Sequence, residues 1–370
     1  MKWLLQNISF LAIDGSQSYG MNTKSSDFDC KGIVLPPVEI REHLFNKFDQ
    51  AINNKELEEK YSHLKNPNNP KFESTVFSLS KFFQLAAQVN PNIISLLWTS
   101  PSDILECNKI GEELLKNRDL FLSTKAKFTF GGYSKSQFSL IERHRRWLVK
   151  GELTKPERKD YGLVGEVLQG HSEIDRLVKK EIENWNFSKF SLDELERQEL
   201  KETVWECVLK LCNNKISWDN WPQEYEKAII SDFSTNFNLS TEVTNLILRE
   251  TRYKNDLKDY NSWLNWKENR NLDRMKLEKD FNYDCKSGAH LKRLMEMSSE
   301  ILSGKGVIVK RPDAEELLFI RSGGWSYDKL KDWFEKKSIE IEELYKTTTL
   351  PKSVNYEKIN ELYQRLLTLN

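Results

Sequence analysis

Two aspartates one residue apart, Asp27 and Asp29, stand in the stretch DGSQSYGMNTKSSDFDCKGI, residues 14 to 33. On a strand, alternate side chains share a face, so both carboxylates project the same way. Carboxylates that close repel each other unless a cation neutralises them. Mg²⁺ is the natural cation, because it takes oxygen ligands and completes its shell with waters and substrate phosphates. Just upstream, Gly15 and Ser16 end an apolar run in a tight turn. Glycine lets the backbone approach a phosphate closely, and a serine hydroxyl with nearby N–H groups binds its oxygens. A phosphate-binding turn beside two metal carboxylates is the minimal equipment for phosphoryl or nucleotidyl transfer. Either element alone is commonplace, since most Asp-x-Asp pairs are solvated loop residues. The combination, flanked by apolar strands, is far more specific.

A second group lies far along the chain. Lys286, His290 and Arg293 in KSGAHLKRLMEM fall at i, i+4 and i+7, one stripe of a helix. Leu291 and Leu294 lie at neighbouring angles and can pack that helix onto a core. A lone helical histidine is usually structural. The three together are poor core material but suit a triphosphate, with two fixed cations and a titratable donor. Such cations would offset charge developing on a pyrophosphate leaving group. Asp284, just before the helix, is placed as an N-cap or a salt-bridge partner. Another basic stretch, RHRRWLVKGELTKPERKDY at 143–161, interleaves cations with Trp147 and Tyr161. Nucleic-acid surfaces have that pattern, but Glu152, Glu157 and Asp160 dilute it, and a solvated charged segment fits equally. The tryptophans between 185 and 266 read as core or interface anchors.

These groups need elements to position them. Residues 1 to about 40 read as strand, turn, strand: ISFLAI is apolar and β-branched, and FDCKGIVLP alternates before Pro36 and Pro37 stop it. A helical and then loop-like segment ends in NPNNP. Next comes a strand, FESTVFSL, and a helix, SKFFQLAAQVNPNIISLLW. From about 100 to 150 the pattern is helical, with Ser102 or Asp103 as an N-cap. The middle is rich in Lys, Glu, Asn and Trp and carries helical runs such as LDELERQELKETVWECVLKL. KSGAHLKRLMEMSSEILSG is an amphipathic helix ended by Gly304. A short strand, GVIVKRP, and further helices follow, the last being NYEKINELYQRLLTL. The expected class is α+β. A core at 1–150 is followed by a helical accessory region at 151–280 and a helical C-terminal region at 281–370 that completes the site.

At 370 residues the chain has room for two or three domains. Its 38% hydrophobic and 30% charged content is that of a folded, heavily charged protein and not of a disordered one. The formal net charge is zero, so polyanion binding would need a local patch. Five cysteines include no CxxC pair, and the five histidines lack zinc spacing. The opening MKWLLQNISF is interrupted by Gln6 and Asn7, which argues against a signal peptide. No apolar run is long enough to span a bilayer. A cytoplasmic protein without membrane attachment is expected.

GSQSYGMNTKSSDFDCKGIVLPP resembles the signature of the DNA polymerase beta-like nucleotidyltransferases, a Gly-Ser turn followed by an acidic-x-acidic strand. It is closer to the branch associated with RNA-repair operons in bacteria and phages (RlaP-type). That branch carries Gly-Ser-x-x-Tyr-Gly and then Ser-Asp-x-Asp, here Gly15, Ser16, Tyr19, Gly20, Ser26, Asp27 and Asp29. The resemblance extends to Asn90-Pro91, to Tyr133 and Gln137 in GGYSKSQ, to Lys286, His290, Arg293 and Leu294, and to TTTLP near the end. It implies a polymerase beta-like fold, a metal site of two Mg²⁺ ions (Mn²⁺ as a substitute), and an NTP substrate. It also implies an RNA acceptor such as a tRNA-like 3′ end. A third metal carboxylate is implied just before the FESTVFSL strand, where this chain has Glu73 in place of the family's Asp; Glu39 is a weaker substitute. Rival expectations are transfer to a protein or small molecule, and a silent nucleotide-binding antitoxin or regulatory module.

Overall fold

Five strands form one mixed sheet in the computed structural model: β1 (Ile8–Asp14), β2 (Phe28–Val34), β3 (Gln50–Ile52), β4 (Phe72–Ser78) and β5 (Ile104–Cys107), in the order β3-β4-β2-β1-β5. The structure describes residues 2–163, 241–270 and 272–369, with scattered positions between 176 and 235. β2 pairs parallel with β4, while β1 pairs antiparallel with β2 and β5, and β3 antiparallel with β4. Both faces of the central strands are covered. Phe10, Ala12, Ile33 and Phe77 face the larger core; Leu11, Ile13, Phe28, Cys30 and Val76 face a smaller one. This two-sided burial explains why β1 and β2 read as nearly continuous apolar runs with sparse polar interruptions.

The larger core is roofed by helices, among them α1 (Leu79–Ala86), α2 (Lys125–Lys150), α4 (Cys285–Leu302), α5 (Ala314–Arg321), α6 (Tyr327–Thr347) and α7 (Tyr356–Leu367). In α4, Leu291, Leu294, Ile301 and Leu302 are fully buried. Burial of each such side chain contributes about 1.5–3 kcal/mol, so this helix is anchored by its apolar face. The opposite face of α4 is also tied down. Lys292 reaches Asp313 at 2.9 Å and Glu316 at 3.0 Å, and Arg311 holds Glu300 at 2.6 Å.

Contacts divide the chain into two units, Met1–Val149 with Leu272–Asn370, and Lys150–Asn271. The first contains the sheet. In the second, α3 (Thr241–Glu268) carries Glu250, which pairs with Arg158 at 2.7 Å, and Asp256, which accepts from Tyr161 at 2.5 Å. The basic stretch at 143–161 is thus partly consumed by internal pairing. Trp263 of α3 is buried. Trp185, Trp205, Trp218 and Trp221, and most of the helical run at 192–211, lie outside the described residues.

Three local expectations change. Lys2–Gln6 is a short helix, and the strand begins only at Ile8. Ile104–Cys107 is an edge strand and not helix, and the true cap of the following helix is Asn108, whose side chain accepts from Ile110 N at 2.9 Å. There, β-branched and apolar residues found a partner in β1, which local propensity cannot foresee. The GVIVKRP segment is not in a strand; Arg311 N instead donates to Tyr19 O at 3.2 Å.

Candidate functional site

Sheet register creates the acidic cluster. Asp29 on β2 stands opposite Asp14 at the end of β1 and opposite Glu73 near the start of β4. Residues paired across strands share a face, so all three carboxylates rise from the side covered by the larger core. Asp27, just before β2, adds a fourth, while the intervening Phe28 is buried on the other side. Asp27, Asp29 and Glu73 can bring one carboxylate oxygen each within 4.8 Å of one another. The three acids of the sequence reading therefore come together. Glu39 does not join them, being exposed on the one-turn helix Val38–Arg41.

The electrostatics match that crowding. Asp29's carboxyl is pushed up from 3.8 to about 6, first by burial and then by the charges of Asp27, Asp14 and Glu73, with Lys31 opposing. Lys31 bonds Asp14 at 2.6 Å and donates to Asn92 O at 2.9 Å. The exposed Lys71 ammonium touches Glu73 and lies 3.8 Å from Asp27. Cations are thus already drawn to the cluster, and its all-oxygen donor set fits a hard divalent ion.

The turn between β1 and β2 fits closely against Asp29. Gly15 has φ +65, and a Cβ there would lie 1.9 Å from Asp29 Oδ2. Only glycine takes that backbone conformation without strain and leaves room for the carboxylate. One helical turn follows, Gly15–Ser18, closed by Met21 N donating to Ser16 O at 2.8 Å. The buried Ser16 hydroxyl has no hydrogen-bond partner among the described residues.

Helix α4 supplies the other wall. Its N-cap is Asp284, which accepts from Ser287 N at 3.1 Å. Lys286 is exposed, whereas Arg293 is 7% exposed. Arg293 places its guanidinium carbon 3.6 Å from the Tyr19 ring centroid, and its Nη2 lies 3.0 Å from His290 Nδ1. Arginine can only donate, so His290 Nδ1 accepts and its proton sits on Nε2. That buried Nε2 is unpartnered among the described residues, and the ring packs edge-on against Tyr133 with centroids 5.4 Å apart. Burial, then Arg293 and Lys286, push the His290 pKa down to about 3. Desolvation beside two cations thus keeps the ring neutral, and the titratable donor of the stripe acts as an uncharged one.

One cleft of about 340 Å³ collects these groups: Gly15, Ser16, Asp27, Asp29, Glu73, Lys286, His290 and Arg293 all line it. The sequence reading missed Asp14, Lys31 and Arg321, which line it too, and gave Tyr19 no place in the site. The signal for Asp14 and Lys31 was present, since each lies two residues or one strand pairing from Asp29. Arg321 had no such local signal; it reaches the turn by donating to Met21 O at 3.3 Å.

Comparison with known proteins adds a family match over the sheet-bearing part of the chain. Residues 5–159 match the RlaP family, described as the RNA repair pathway DNA polymerase beta family. That match covers less than half of the chain, and it makes the stretch similar to the RlaP family. It contains β1 through β5 and all four clustered carboxylates, so the acidic half of the cleft lies inside the RlaP match and the α4 half outside it. The chain is also similar to an uncharacterised 38.9 kDa protein of the nrdC-mobD intergenic region of Enterobacteria phage T4. The two are 28% identical over 133 residues, which is 34% of this chain and 36% of that relative. The match therefore spans about a third of the relative's length. No solved structure matches.

Proposed function

We propose that this protein is a divalent-metal-dependent nucleotidyltransferase that moves an NMP from an NTP to the hydroxyl of an RNA 3′ end and releases pyrophosphate. One observation carries the reading: three carboxylates able to meet within 4.8 Å share a cleft with a buried arginine and two unpartnered buried donors. Clustered acids ask for a cation, and orphaned donors beside a desolvated guanidinium ask for an anion. A metal–triphosphate complex satisfies both at once. RNA as the acceptor class rests on the RlaP family description.

Asp27, Asp29 and Glu73 would hold Mg²⁺, with Mn²⁺ as a substitute. A divalent ion held there neutralises the acids and polarises the phosphate oxygens. The chain's own residues do the rest. Ser16 and the Gly15 turn receive phosphate oxygens, and Lys286, His290 Nε2–H and Arg293 bind the β and γ phosphates. The acceptor oxygen forms a bond to the α-phosphorus while the bond from that phosphorus to the bridging oxygen breaks. Glu73, the most exposed of the three acids, would take the acceptor's proton, a role its exposure to solvent supports. Lys286 and Arg293 offset the charge that builds on the leaving pyrophosphate.

The test is transfer of label from each of four α-labelled NTPs, with Mg²⁺, to separate pools of total RNA, protein and metabolites. Labelling of RNA that vanishes in Asp29→Asn is the expected result. Undiminished transfer by that variant would sink the assignment. Labelling of protein or metabolites alone would move the acceptor to that class, and tight NTP binding without turnover on any pool would make the chain a binding module.

A further inference from the structure

A buried arginine normally comes with a carboxylate, because an uncompensated guanidinium is expensive to desolvate. Arg293 departs from that rule. Among the described residues its close contacts are the Tyr19 ring, His290 Nδ1 and Met297 Sδ at 3.6 Å, none of them anionic. Glu296, Glu300 and Asp313, on α4's other face, are committed to Lys337, Arg311 and Lys292, and the acids of the opposite cleft wall form no ion pair with Arg293 among the described residues. What stabilises Arg293 is the negative face of an aromatic ring, an interaction strengthened by desolvation. The ring itself takes none of the guanidinium's five in-plane N–H donors; one goes to His290 Nδ1 and one to Met297 Sδ, and no carboxylate among the described residues occupies the others.

Tyr19 is itself held firmly. It is 8% exposed, its carbonyl accepts from Arg311 N at 3.2 Å, and its hydroxyl lies 3.5 Å from Ser95 Oγ. It sits three residues after Ser16, immediately beyond the helical turn that carries the unpartnered hydroxyl. The ring therefore locks together two walls of the cleft that are remote in sequence.

We propose that Tyr19 is a positioning residue: its ring replaces a carboxylate beneath Arg293, so that the guanidinium stays buried, oriented and free to grip a phosphate oxygen of the triphosphate. His290 assists as a neutral acceptor that fixes the guanidinium's rotation. This inference rests on the nucleotide-site reading of the cleft and adds how its buried cation is kept available. The aromatic face is the essential part, and the phenol hydroxyl is dispensable.

The experiment is calorimetric titration of the full chain with inorganic tripolyphosphate at saturating Mg²⁺, which removes any dependence on the base. Arg293→Gln, Tyr19→Phe, Tyr19→Leu and Tyr19→Met are compared with the parent, and Mn²⁺ binding to each, read by electron paramagnetic resonance, checks that the carboxylate wall is intact. Tyr19→Phe should stay within about twofold of the parent, while Tyr19→Leu and Arg293→Gln each weaken binding at least about tenfold, with Mn²⁺ binding retained. In a transfer assay, Tyr19→Leu should raise KM for NTP and Tyr19→Phe should restore it. If Arg293→Gln weakens tripolyphosphate but Tyr19→Leu and Tyr19→Met do not, Arg293 needs no aromatic support; the positioning role is wrong and the nucleotide-site reading stands. If Tyr19→Leu and Tyr19→Met lose Mn²⁺ and tripolyphosphate together, the ring holds the turn and not the guanidinium, and the inference is again overturned. Parent-like tripolyphosphate binding by Arg293→Gln removes the phosphate assignment of this wall itself.

Discussion

Asp29→Asn should destroy metal binding and yet make the metal-free protein more stable. In the fold Asp29 is pushed from 3.8 to about 6 by burial and by three neighbouring acids. Above that pH it is ionised in both folded and unfolded chains, and the fold bears the whole penalty. A shift of roughly two units corresponds to about 3 kcal/mol. Asp29 is only partly buried, so solvent screening reduces this to about 1–2 kcal/mol. The sign follows from proton binding. With the folded pKa above the unfolded one, the fold holds more protons between about pH 3.8 and 6. Stability of the parent therefore falls as pH rises through that window and is level above it. Asparagine has nearly the same shape and no charge, so the variant lacks that slope. In EDTA at pH 7.5 its Tm should exceed the parent's by about 3–6 °C for a unit of this size. The two melting curves should converge near pH 4. Saturating Mg²⁺ should then raise the parent and leave the variant unmoved, reversing the order. Scanning calorimetry across pH, with and without metal, reads all of this. A variant less stable than the parent in EDTA at pH 7.5, or one stabilised equally by Mg²⁺, would refute the crowding argument.

Other substitutions probe the remaining walls. Gly15→Ala forces a side chain at φ +65 to within 1.9 Å of Asp29 Oδ2, so it should lose about 1–2 kcal/mol of stability and most Mn²⁺ affinity, read by denaturant titration and spin resonance. Glu73→Gln replaces a half-exposed rim acid; stability should change by no more than about 0.5 kcal/mol while transfer falls at least about a hundredfold, seen by comparing melts with rates. Mn²⁺ affinity of the parent should fall as pH drops below about 6, because Asp29 must release its proton to bind a cation. A flat affinity profile from pH 5 to 7 would contradict that placement of Asp29.

Much of this arrangement was written in short-range pattern. Alternation along β2 puts Asp27, Asp29 and Lys31 on one face and Phe28 and Cys30 on the other, and any six-residue window shows it. The helical period places Lys286, His290 and Arg293 on one stripe while Leu291 and Leu294 sink into the core. The strands around the Gly-Ser turn were legible because they are buried on both faces and so are apolar throughout. Failures occurred where a segment's partner decided its state. Ile104–Cys107 became a strand because the edge of β1 was open to it, whereas in GVIVKRP the Arg311 N–H bonds the Tyr19 carbonyl, outside any described strand.

The sequence alone determined which chemical groups exist and which of them share a local face, because strand and helix periods are properties of neighbouring residues. Tertiary structure decided how those faces meet. Parallel pairing of β2 with β4 sets Glu73 beside Asp29, and antiparallel pairing with β1 adds Asp14. Burial then assigned the charges, raising Asp29 and holding His290 neutral. The same packing slid Tyr19 beneath Arg293. Register and desolvation depend on which surfaces are removed from water together, and that is a property of the folded chain as a whole.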